Sequence, residues 1–90
     1  MKTLETKLFI CTGVIQYEFN KVYITLFEVI FKTSKVRKYF TYISSSKNKV
    51  PFFSLYNLYS YKTAIKTFNK LIANLKYKQL NFKIYEKTKN

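Results

Sequence analysis

The decapeptide Val22–Phe31, VYITLFEVIF, is apolar on both of its faces. Read as a strand, it sets Val22, Ile24, Leu26 and Ile30 on one side and Tyr23, Phe27, Val29 and Phe31 on the other. Only Thr25 and Glu28 interrupt the pattern. A strand of this kind must be covered twice. The chain has 90 residues with which to do so. A chain of that size buries roughly 60–65% of its unfolded surface and supports one core.

The flanking sequence supplies partners on either side. Leu8 to Phe19 is a first strand rich in Ile, Val, Phe and Tyr, with Gly13 marking a bulge or bend. Asn20-Lys21 is a tight turn into VYITLFEVIF. Thr33-Ser34-Lys35 is a second turn, and Val36 to Ile43 is a third strand. Ser44 to Lys49 is a polar loop with Pro51 at its far end. The period then changes from two to 3.6. From Tyr61 to Gln79, Tyr61, Ala64, Ile65, Phe68, Leu71, Ile72 and Leu75 fill one arc of a helix, and Lys62, Lys66, Lys70 and Lys76 fill the opposite arc. Ser60 or Asn57 supplies the cap. Leu80 to Glu86 alternates as a closing strand, and Lys87 to Asn90 is a frayed tail. The expected fold is a single α+β domain over residues 1–90: an antiparallel sheet of about four strands with one amphipathic helix, in the order β-β-β-α-β.

One helix covers one face of a sheet. The second apolar face of Val22–Phe31 then has three fates. The sheet curls onto itself, the face meets a second copy in a homodimer, or bases stack on it.

Charge points to the partner. Lys and Arg number 17 against four acids, for a net charge of +13. Arg37 is the single arginine. Lys, Asn, Ile, Phe and Tyr are abundant and have AT-rich codons, so an AT-rich genome, such as that of a phage or plasmid, explains part of this. Codon bias raises lysine but does not by itself remove aspartate, and the chain has none. The residual excess implies a polyanion: nucleic acid first, an anionic membrane or an acidic protein partner second. Two stretches carry it. On the third strand and its loop, Arg37, Lys38, Tyr42, Lys47 and Lys49 interleave cations with aromatic rings, as single-strand binders do. On the helix, Lys62, Lys66 and Lys70 form a ridge without acids at i+4. A ridge of that kind repels itself unless something anionic lies against it. The sequence reading is therefore a DNA- or RNA-binding protein that works by charge and stacking. A protein-interaction module or inhibitor using the aromatic sheet face is the alternative.

The composition also excludes chemistry. With no His and no Asp, the usual acid–base groups and triads are missing, and no catalytic residue is assigned. Gly13 is the only glycine, so no Gly-rich phosphate loop or cofactor site is expected. A lone Cys11 with no His offers neither a disulfide nor a zinc site. It reads as a small buried hydrophobe rather than a reactive thiol. Lys2 and Lys7 precede an apolar run, but Glu5 and the following Gln16-Tyr17-Glu18 do not fit a secretory leader, and no run reaches the roughly twenty residues of a membrane span. A cytoplasmic location follows as an expectation.

Two partial resemblances remain. Gly13-Val14-Ile15 and Val22-Tyr23-Ile24 resemble the opening of GIY-YIG nucleases. Ile15 stands where the first tyrosine belongs and Thr25 where the second glycine belongs, so only Tyr23 carries over. Strands followed by Pro51-Phe52-Phe53-Ser54 and the helix AIKTFNKLI look somewhat like a WGR domain, without its Trp-Gly-Arg signature. Neither family is assigned.

Overall fold

The computed structural model describes residues 3–47 and 53–89, with side chains as far as Tyr77. Four strands, β1 (Thr3–Glu5), β2 (Phe9–Phe19), β3 (Val22–Phe31) and β4 (Arg37–Ser44), form an antiparallel sheet in sequential order. A short 3₁₀ turn at Leu55–Asn57 leads to the helix α1 (Tyr61–Lys89). The antiparallel sheet of four strands with one helix is as expected from the sequence.

The order of elements differs. It is β-β-β-β-α, because the fourth strand comes from the N-terminus: Thr3 to Glu5 pair with Thr12 to Ile10 on the outer edge of β2. The expected closing strand Leu80–Glu86 is helical instead, as is the expected frayed tail up to Lys89. The physical reason is local. No Gly or Pro follows Tyr61, so nothing interrupts the i→i−4 ladder once it has started. Alternation over seven residues is too short a signal to stop it.

The hairpin between β2 and β3 is a two-residue turn. Phe19 pairs with Val22, and Asn20 and Lys21 both adopt positive φ, 53° and 65°. Both central residues in the left-handed region make this a type I′ turn, whose twist matches the flanking strands. The next turn closes when the Lys35 N–H donates to the Phe31 carbonyl at 2.8 Å.

The register of β2 shifts between Gly13 and Ile15. That bulge decides which side chains share a face. Cys11 pairs with Val29 before it and Tyr17 with Ile24 after it, so these two odd-numbered residues lie on opposite sides of the sheet. Gly13 is buried opposite Phe27.

The demand made by VYITLFEVIF is met twice within the chain. On one face Ile24 and Leu26 pack with Ala64 and Phe68 of α1, bordered by Tyr17, Tyr39, Ile65 and Leu71. On the other, Cys11, Phe27, Val29 and Phe40 are bordered by Phe53 and Leu58, from the connection between β4 and α1. The rings of Phe27, Phe40 and Phe53 form a stack, with centroids 5.2 Å and 4.7 Å apart. Phe9 meets Phe53 edge-on at 5.5 Å. The connection crosses one face, passes the edge of β4, and returns as the helix on the other. Buried Thr25 is satisfied by the Gln16 amide at 3.0 Å, and the same amide nitrogen donates to the Lys47 carbonyl at 3.2 Å. Gln16 thereby ties down the start of the connection.

Candidate nucleic-acid interface

β4 is an edge strand, and one contact converts its first half into a surface. Tyr39 forms an antiparallel bridge with Tyr59, each N–H donating to the other's carbonyl at 2.8 Å. The bridge sets Arg37 and Lys38 alongside the residues that open α1. Helix entry here is defined by Ser60. Its carbonyl accepts from the Ala64 N–H at 3.0 Å, and its hydroxyl accepts from the Thr63 N–H at 3.4 Å, as a helix cap does. Of the two expected caps, Ser60 takes the role.

The aromatic rings at this corner are graded in exposure. Tyr39 is half-buried against the helix-covered core. Its hydroxyl donates to Glu28 at 2.8 Å, and that hydrogen bond is the first cause raising its pKa above the usual tyrosine range, followed by burial. Tyr61 meets Tyr39 edge-on at 5.2 Å and remains 49% exposed, as does Tyr59, while Tyr56 on the 3₁₀ turn is 97% exposed. Arg37 has a 64% exposed side chain and lies 3.9 Å from Glu28. At that distance and exposure the pairing is weak. Lys38 and Lys62 are exposed, Lys38 on the other face of β4 from Tyr39, and the first turn of α1 carries no acid.

The described acids are already engaged. Glu5 pairs with Lys32 at 2.7 Å, Glu18 accepts from the Tyr23 hydroxyl at 3.3 Å, and Glu28 accepts from Tyr39. Among the described residues, only Lys32 and Arg37 come within ion-pair distance of a carboxylate. The remaining described lysines leave a positive surface uncompensated.

The residues expected from the sequence therefore divide. Arg37 shares the helix-covered face of β4 with Tyr39 and lies near the head of α1, which carries Lys62, whereas Lys38, paired with Val29, projects on the opposite face. Lys66 and Lys70 are exposed and continue along the helix from Lys62, while Lys76 places its ammonium 5.3 Å from the centre of the Tyr17 ring. Tyr42 is not a free platform: it is half-buried against the Phe27–Phe40 core, its ring 6.4 Å from that of Phe27. Lys47 is exposed, but its backbone lies at the opposite end of β4, held by Gln16. Lys49 lies outside the described residues. Sequence reasoning missed Tyr56 and Tyr59 and assigned Tyr61 to the apolar arc. The available signal was the spacing of tyrosines in SLYNLYSY, a segment too polar to be core and too aromatic to be an ordinary loop.

Among the described residues no three His, Cys, Asp or Glu side chains gather as a metal site would require, and no helix is long and apolar enough to cross a membrane. No protein-family model, curated protein or solved structure matches the chain.

Proposed function

We propose that this chain is a small, non-enzymatic nucleic-acid-binding domain. Phosphates lie against Arg37, Lys38 and the Lys62–Lys66–Lys70 ridge, and bases stack on the tyrosines at the head of α1. The observation that carries this reading is the Tyr39–Tyr59 bridge, which gathers exposed rings and cations that are about twenty residues apart in sequence. Rings beside unpaired cations suit a single strand, whose bases offer π-faces while its phosphates need neutralising. The absence of His and Asp from the sequence supports a binding role over catalysis.

The alternative, a protein-interaction module, drew on a bare aromatic sheet face. That face is covered by the chain's own Phe53 and Leu58, which takes away the feature that supported it. The same covering removes the reason for expecting a homodimer. A monomer is the proposed state, and sedimentation at micromolar concentration should return a single-chain mass near 10.9 kDa.

The test is fluorescence anisotropy with single- and double-stranded oligonucleotides across salt. If about four to six phosphates are neutralised on a duplex, log affinity falls against log salt with a slope of about −4 to −5. Replacing Lys62, Lys66 and Lys70 with Gln should flatten that slope by up to about 3. Absence of binding to DNA and RNA alike at low salt would sink the proposal.

A further inference from the structure

We propose that the hollow beside this corner is a pocket for one unpaired nucleobase, an inference that rests on the nucleic-acid reading above and specifies its ligand. The hollow has a volume of about 430 Å³ and is lined by Phe40, Thr41, Phe53, Ser54, Asn57 and Tyr59. That volume lies in the lower part of the range of small-molecule sites, roughly 300–1,000 Å³.

Its walls combine two chemistries. Tyr59, 49% exposed, supplies the aromatic surface on which a planar heterocycle of any identity stacks, while Phe40 and Phe53, already stacked on one another, form the floor. Thr41, Ser54 and Asn57 supply polar groups to meet its edge. The Ser54 hydroxyl oxygen accepts from the Tyr56 N–H at 3.2 Å, which leaves its O–H to donate. Among the described residues, the Asn57 side-chain amide has no hydrogen-bond partner; it offers a donor and an acceptor side by side, as asparagine does when it reads a base.

The backbone adds a second such pair. Tyr39 turns both its N–H and its carbonyl outward to Tyr59. In an antiparallel strand the direction alternates, so Thr41, two residues on, also presents its N–H and carbonyl away from β3. No backbone group among the described residues meets them. A base edge carries adjacent donors and acceptors of the same kind.

The pocket includes Tyr59, which is bridged to Tyr39, two residues from Arg37 on the same face of β4, so a strand whose phosphates lie against Arg37 runs along the edge that holds the pocket. A paired base cannot enter, because its edge is occupied and its neighbours are stacked. The ligand is therefore a base from a single strand.

The experiment compares three probes of equal phosphate count by anisotropy: a base-bearing single strand, an abasic strand and a duplex. The base-bearing strand should bind about tenfold more tightly than the abasic one. Asn57→Ala and Tyr59→Leu should each shrink that ratio while leaving the salt slope unchanged. Titration with adenosine monophosphate should shift the amide resonances of Thr41 and Asn57. Equal binding of base-bearing and abasic strands, with a steep salt slope kept, overturns the pocket and leaves the electrostatic reading standing. A base preference untouched by both variants, with Thr41 and Asn57 unshifted, overturns the pocket in favour of a base site elsewhere. No binding of any probe at low salt overturns both.

Discussion

The two faces of β3 are covered by different means. On one side a regular helix lays Ala64 and Phe68 onto Ile24 and Leu26. On the other an irregular connection lays Phe53 and Leu58 onto Phe27, Val29 and Phe40. The helix covers its face with a periodic stripe, each turn adding a contact. The connection has no such repeat, and covers its face with rings. One phenyl group spans the area of several aliphatic carbons and stacks where shapes match, so a few residues suffice. Irregular chain closes a core when its side chains are large.

The two faces should contribute equally to stability. Phe40→Ala should destabilise the protein as much as Phe68→Ala, each by about 3–5 kcal/mol, because both rings are buried within their clusters. Urea denaturation followed by circular dichroism measures both. A loss below about 1 kcal/mol for Phe40→Ala would mean that only the helix-covered face stabilises the fold.

Phe53→Ala isolates the covering segment itself. It removes the ring that closes the stack on Phe40 and the edge contact with Phe9. The expected loss is about 2 kcal/mol, smaller because Phe53 is only half-buried. If stability is unchanged, the connection rests on the sheet without holding it.

Cys11 reports on the same face from beneath. It is 1% exposed, and burial pushes its thiol pKa from 9.0 up to about 11. The folded state therefore holds the proton more firmly than the unfolded one. The associated stability is present below pH 9 and is lost as pH rises through about 11. At pH 8 the native thiol should react with Ellman's reagent about a hundredfold more slowly than in denaturant. Phe53→Ala should narrow that gap, whereas Phe68→Ala, on the helix side, should narrow it less. Equal effects would show that the two faces do not open independently.

The smallest effect lies in the β2–β3 turn, which serves both faces equally. Lys21 holds φ at 65°, a region that costs a residue with a Cβ. Lys21→Gly should raise stability by about 0.5–1 kcal/mol, measured by the midpoint of thermal unfolding. A loss there would mean that the lysine side chain makes a contact worth more than the strain.

Much of the fold is legible in single segments. VYITLFEVIF is the strand Val22–Phe31 to the residue, Asn20-Lys21 is its turn, and Gly13 marks the register shift. Each is a local signal, in composition, φ preference or a missing Cβ. The errors arose where local signals were weak or tied. Thr3–Glu5 is too short to show an alternation, and its pairing with β2 is a tertiary event. Leu80–Glu86 alternates as a strand does, yet follows a helix without a breaker, and propagation is favoured over fresh nucleation. At the candidate interface the lysine ridge from Lys62 to Lys70 was legible because helical periodicity places it. The position of Tyr59 against β4 was not, since it depends on which strand edge the connection happens to pass.

Residue order alone calls for a sheet with both faces buried, a single helix with a lysine ridge, and an excess positive charge of thirteen. These follow from residue type and spacing, which act through neighbours in the chain. Tertiary contacts set how the second face is closed, that Tyr42 packs against the core, and that Tyr59 is bridged to Tyr39 at the edge of β4. Those outcomes turn on contacts between segments far apart in sequence. Such contacts are selected by shape, ring stacking and the pairing of buried backbone groups, and none of these leaves a periodic trace along the chain.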